Sequence, residues 1–132
     1  MRFGCSMKFF FDNNISEHLA RGMKAFGEEV VHLKDVFRED TADVEWLKYV
    51  GEQMMVLITR DESVRWNPAE LAALRKHAVR AFFLGGKHLN KCRLIQQVVR
   101  NWPRIKEYAE RLRPPYAFRI PPTGTKFSRI SL

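Results

Sequence analysis

KFFFDNNISEHLA, Lys8 to Ala20, decides how the rest of the chain is read. The apolar, aromatic run Met7–Phe11 has no polar alternation, which fits a strand buried on both faces. It stops at Asp12-Asn13-Asn14, a charge followed by two turn-formers. Ile15, Leu19, Met23 and Phe26 then recur at helical spacing.

The same alternation continues outward. Glu29–Leu33 (EVVHL) reads as a second strand, and 34–41 as a charged loop. Trp46, Leu47 and Val50 share one face of a helix starting near Asp43. Met54–Thr59 (MMVLIT) is a third apolar strand, ending at Arg60-Asp61-Glu62. Asn67-Pro68 starts a helix, with Asn as its cap and Pro at its first position. Val79–Leu84 is a fourth strand, stopped by Gly85-Gly86. Residues 91–112 form a long helix with Ile95, Val98, Val99, Trp102, Ile105, Ala109 and Leu112 on its apolar face. Pro103 predicts a kink or break there. Tyr116–Ile120 is a fifth, edge strand. These elements predict a three-layer α/β/α sandwich with a mainly parallel central sheet of 4–5 strands. The expected organisation is a single domain over 1–120, with 1–6 as a leader tail if Met7 is the start. Residues 121–132 are a basic C-terminal tail or a short hairpin.

Several classes fall away. No apolar run reaches the roughly 18 residues of a membrane helix. The N-terminal stretch lacks the long apolar region and small-residue cleavage site of a signal peptide. Cys5 and Cys92 have no metal-ligand or CxxC spacing, so the expected compartment is the cytoplasm. His18, His32, His77 and His88 lie in separate elements without zinc spacing, and His32 reads as a satisfied strand residue.

Charge divides the chain in two. Residues 1–66 hold 9 Lys/Arg and 12 Asp/Glu; residues 67–132 hold 14 and 3, and the whole carries +8. A basic half favours a polyanionic partner, nucleic acid first. In the long helix Arg93, Arg100, Arg104 and Arg111 fall within about 40° of one another, either a phosphate track or a solvated face. Arg60 is placed to reach a phosphate or to pair with a carboxylate. Trp66, Trp102 and Tyr116 are candidates for stacking on bases, with Trp102 fitting the core as well.

In parallel sheets, sites form beyond the carboxyl ends of strands. Asp12 and Asp61 end the first and third strands, and Asp43 and Glu45 open a helix after the second. Clustered carboxylates repel unless a cation compensates, and hard oxygen ligands without Cys or His suit Mg²⁺ or Mn²⁺. Each acid also has a local reading, as a turn residue or a helix-start acid. Such a metal site beside a basic surface fits phosphodiester cleavage.

The order FFFDNNI, EVVHLKD, TADVEWL and VLITRDE, over about residues 7–85, resembles the PIN-like nucleases, particularly those related to VapC-type toxins. The resemblance implies a PIN fold and a metal-dependent ribonuclease that is the toxin of a toxin–antitoxin pair. Its partners would be RNA, a cognate antitoxin and a second copy in a homodimer. Asp12, Asp43 and Asp61 would bind metal, with Glu62 or Glu45 completing the shell, and Asn13 would contribute a neutral oxygen or position a phosphate. In many relatives the first Asp is followed by Glu, where this chain has Asn13. A further Asp commonly follows two residues after the third-strand aspartate, where this chain has Ser63. Those departures favour the alternative, a catalytically degenerate module that binds RNA or a protein.

Overall fold

The computed structural model describes residues 7–61, 63, 66–86 and 88–132. Six strands form one sheet: β1 (Lys8–Phe11), β2 (Glu29–His32), β3 (Val56–Thr59), β4 (Arg80–Leu84), β5 (Tyr116–Ile120) and β6 (Ser128–Ile130). Their order is β2-β1-β3-β4-β5-β6, parallel throughout except for β6, which runs antiparallel to β5. The sheet therefore has one strand more than the 4–5 expected, and β5 is not an edge. Ile130 is buried opposite Ala117, and that apolar contact draws the last residues onto the sheet.

The three phenylalanines of β1 show why the run is unbroken. Phe9 and Phe11 enter a core beneath α1 (Glu17–Ala25) and α5 (Lys91–Arg111). Phe10 enters a second core beneath α3 (Asp43–Glu52) and α4 (Pro68–Lys76). Period-two alternation is present, but both faces are covered, so all three of these positions are apolar. Trp102 packs on Phe9 from one side, and Trp46 stacks on Phe10 from the other.

Three local expectations are corrected. Part of the loop expected over 34–41 is a one-turn helix, α2 (Leu33–Val36). A capping box closes it: Lys34 N–H donates to His32 Nδ1, and His32 N–H donates to Asp35. The other His32 nitrogen, Nε2, lies 2.6 Å from the Ile15 carbonyl, so the buried ring is fully satisfied. Pro103 does not break the long helix, which runs as one element of 21 residues. Asn101, Trp102 and Ile105 are buried on either side of the proline and hold both halves against the sheet.

The third correction concerns which face of α5 is inside. Ile95 and Val99 are 44% and 54% exposed, while Leu94, Gln97 and Asn101 are buried. Gln97 earns an interior place through its amide: Nε2 lies 3.0 Å from the Gly85 carbonyl, 3.0 Å from Pro121 and 3.3 Å from Ile120. Asn101 Nδ2 donates to the carbonyl of Gln97 (2.8 Å). The amide nitrogens are thus paired, while Gln97 Oε1 and Asn101 Oδ1 are buried without a partner among the described residues. Among the described residues no helix is long and apolar enough to cross a membrane.

Candidate acidic site at the sheet switch point

From β1 the chain moves to one side for β2 and to the other for β3, so the strand order reverses between β1 and β3. The crevice beyond the carboxyl ends of two such strands is open, because their following helices lie on opposite faces. Asp12 and Asp61 emerge there.

Asp12 is almost fully buried. Its N–H continues the ladder to the Ile58 carbonyl (3.3 Å). Asn14 N–H donates to Oδ1 (3.0 Å), and the Thr59 hydroxyl donates to Oδ2. Burial nonetheless raises its carboxyl from 3.8 to about 7, against the pull of those two donors; Asp61 and Asp43 add repulsion. Thr59 also accepts from Asp61 N–H (3.0 Å). One hydroxyl thus fixes both strand-end acids. Asp61 Oδ1 accepts from the backbone N–H of Ser63 (3.0 Å) and from its hydroxyl. Ser63 thus supplies two donors that orient Asp61.

Asp43 is the first residue of α3, and its Oδ1 accepts from Trp46 Nε1 (3.0 Å). The indole is thereby both a core ring over Phe10 and a brace for the acid. A fourth acid, absent from the sequence reading, joins them from α4. Glu70 lies in the first turn of that helix, after the Asn67 cap, whose side chain accepts from Ala69 and Glu70 N–H. Its carboxyl is raised to about 7 by burial, then by the charge of Asp43 and a hydrogen bond shared with it, then by Asp61. Glu70 Oε1 is shut off from solvent and has no hydrogen-bond partner among the described residues. A first-turn acid resembles ordinary capping chemistry in a sequence. The available signal was its position after the third strand, equivalent to Asp43 after the second.

Asp12, Asp43, Asp61 and Glu70 are therefore within electrostatic reach of one another. As they are placed, no group of three or more His, Cys, Asp or Glu among the described residues could hold a metal ion. Glu62 lies outside the described residues. Glu45 is exposed, and two residues beyond Asp43 is about 200° round the helix, so the structure does not bring it to the acids.

The basic candidates separate. The Arg60 guanidinium donates to the Leu89 carbonyl (3.2 Å), bracing the segment after β4. The α5 stripe begins near the carboxyl edge and leads away from it: Arg111 is 18 residues beyond Arg93, about 27 Å along the axis. Arg104 lies over the Phe127 ring and Arg111 over Tyr108, which gives both a packing role. Arg93 and Arg100 are exposed, as is Asn13 beside Asp12.

No curated protein and no solved structure matches the chain. The family model of the PIN-like domain matches residues 7–86, more than half of the sequence, and spans β1 to β4 with all four acids. The chain belongs to the PIN-like domain family.

Proposed function

We propose that the protein is a Mg²⁺- or Mn²⁺-dependent endoribonuclease of PIN type, the toxin of a toxin–antitoxin pair related to the VapC-type toxins. The observation that carries this reading is the group of four carboxyls at the switch point, two of them raised to about 7. Such raised carboxyls mark an acidic site short of positive charge. The donors are all carboxylate oxygens, which suits a hard divalent cation. Glu70 Oε1 is a buried oxygen without a hydrogen-bond partner among the described residues.

Asp12, Asp43, Asp61 and Glu70 would hold the cation. When bound, it supplies activation of a water and stabilisation of the leaving oxygen. The chain's own part is positioning. Thr59 ties Asp12 to the Asp61 backbone, Ser63 orients Asp61, and Trp46 orients Asp43. The basic C-terminal half favours a polyanionic substrate.

The test is cleavage of a fluorogenic RNA by purified protein in Mn²⁺. Wild type should cut, while Asp12→Asn and Glu70→Gln should each lose at least about a hundredfold in rate (about 2.7 kcal/mol). Equal cutting by wild type and variants, or cutting that survives EDTA, defeats the reading. A second reading is favoured by Ser63, which adds a donor to Asp61 in place of a carboxylate: a non-catalytic module that binds RNA or a partner. It predicts salt-sensitive RNA binding with no Mn²⁺ uptake in a calorimetric titration.

A further inference from the structure

α1 and α5 pack into the same core, and both return from the carboxyl ends of parallel strands, so they run parallel to each other. They do not close on one another. Between them lies a half-open groove of about 630 Å³, within the roughly 300–1,000 Å³ of small-ligand sites. Its α5 wall, from Lys91 to Pro103, is about 18 Å long. Leu19 and Met23 of α1, with Ile95, Val99 and Trp102 of α5, make that length apolar.

The groove is where α5 spends the apolar residues that it turns away from the core. Ile95 and Val99 are 44% and 54% exposed, and Phe26, at the far end, is 89% exposed. An apolar occupant would remove this surface from water. Gly22 faces the groove from the middle of α1, a position where glycine is less favourable than alanine. A Cβ there would meet nothing within 4 Å, so packing within the chain does not call for glycine. Its bare backbone keeps that wall open.

Charge is confined to the two ends. His18 and Lys91 line the end formed by the first turns of both helices, where the helix dipoles are positive. Lys91 is exposed and makes no salt bridge among the described residues. Arg21 donates to His18 Nδ1 (2.6 Å), which leaves the ring N–H on Nε2 as a further donor. At the opposite end Glu28 is already held by Lys106 (3.2 Å). The arrangement suits an occupant with one anionic end and an uncharged apolar length. An amphipathic helix would call for polar partners along both rims, and a second copy would bring one net charge of +8 against another.

We propose that the groove between α1 and α5 binds a free fatty acid of medium chain length, its carboxylate at Lys91 and His18 and its alkyl chain running past Gly22 toward Trp102 and Phe26. None of the lining residues is among the four acids, and binding does not depend on RNA cleavage.

Isothermal titration calorimetry of the full chain with sodium dodecanoate, below its micelle concentration and in EDTA, tests this. Wild type should bind one molecule per chain. Decanoate, two methylenes shorter, should bind about tenfold more weakly. Lys91→Ala should weaken dodecanoate about threefold and leave dodecanol unchanged. Gly22→Leu fills the groove without displacing core atoms, so it should bind dodecanoate about tenfold or more weakly, with a urea midpoint at or above that of wild type. No saturable binding, equal affinity for the two acids, an equal effect of Lys91→Ala on acid and alcohol, or unchanged binding by Gly22→Leu would each overturn the proposal. So would three signs of another occupant: binding to anionic phospholipid vesicles without binding of the free acid, displacement of dodecanoate by a lower concentration of an acidic amphipathic peptide, or a wild-type dimer that Gly22→Leu converts to monomer in sedimentation.

Discussion

Asp12 and Gln97 are both buried polar side chains near the carboxyl ends of strands, one following β1 and the other spanning the ends of β4 and β5. Gln97 is neutral, and its amide nitrogen is surrounded by three backbone carbonyls. Asp12 receives two hydrogen bonds, yet burial and two neighbouring acids hold its carboxyl at about 7. The first arrangement pairs the amide nitrogen and leaves only a neutral oxygen, Oε1, without a partner among the described residues. The second leaves an electrostatic cost that the described residues do not offset. Burial by itself therefore does not distinguish structural from functional polar groups; whether a buried charge is left uncompensated does.

The most direct way to break the comparison is pH. The folded Asp12 carboxyl titrates at about 7, against 3.8 for its ordinary value. Between those values the folded state keeps a proton that the unfolded chain releases. Stability is therefore full below about pH 4 and falls as pH rises to about 7, by roughly 4 kcal/mol at most for this group. Glu70 is shifted in the same direction and deepens the slope. Urea unfolding at pH 4.5 and 8 should show the decline in wild type and a clearly smaller one in Asp12→Asn. Equal slopes in the two proteins would mean that Asp12 carries no uncompensated charge. Excess Mn²⁺ at pH 8 should recover about 2.7 kcal/mol in wild type at a hundred times its dissociation constant, and none in the variant.

On the other side of the comparison stands Gln97→Leu. It removes the donor shared by the Gly85, Ile120 and Pro121 carbonyls. Ile120 keeps its bond from Gly85 N–H (2.8 Å), so the loss falls on the other two. The expected destabilisation is about 2–3 kcal/mol, read as a lower urea midpoint, with the same pH slope as wild type. A midpoint shift below about 0.5 kcal/mol would show that Gln97 is not the clamp.

These two residues also mark where the sequence was legible. An apolar run of three rings, an Asp at its end and an Asn-Pro helix start each carry their meaning locally, and the structure places them as expected. Asp12 and Asp61 were found because strand ends in a parallel sheet gather at one edge. Gln97 and Asn101 were not, because a polar side chain in an amphipathic helix reads as solvent-facing. Only the carbonyls of residues 85 and 121, distant in sequence, make the interior acceptable to Gln97. The apolar face expected from spacing included Ile95 and Val99, which the structure turns outward while Gln97 and Asn101 turn inward. Glu70 was hidden by a similar ambiguity, since helix-start acids are common without any site. Thr59 looked like the last β-branched residue of a strand, and its hydroxyl became informative only beside Asp12.

The smallest expected effect sharpens the comparison for the arginines of α5. Arg104 and Arg111 lie 5.8 and 5.4 Å from ring centroids, while Arg93 and Arg100 are simply exposed. The rings belong to a cluster of Tyr108, Phe118 and Phe127 that fastens the C-terminal segment to the helix. Removing a guanidinium from an aromatic face costs about 0.5–1 kcal/mol at an exposed site. The double variant Arg104→Ala/Arg111→Ala should therefore lose about 1–2 kcal/mol of stability, whereas Arg93→Ala/Arg100→Ala should stay within about 0.5 kcal/mol of wild type. The order should reverse for RNA affinity. Arg93 stands at the end of the helix nearer the acids, so the second pair should weaken oligonucleotide binding and flatten its salt dependence more than the first. If both pairs change stability equally, the rings are not what hold Arg104 and Arg111. If both change affinity equally, the stripe acts as one track despite leading away from the site.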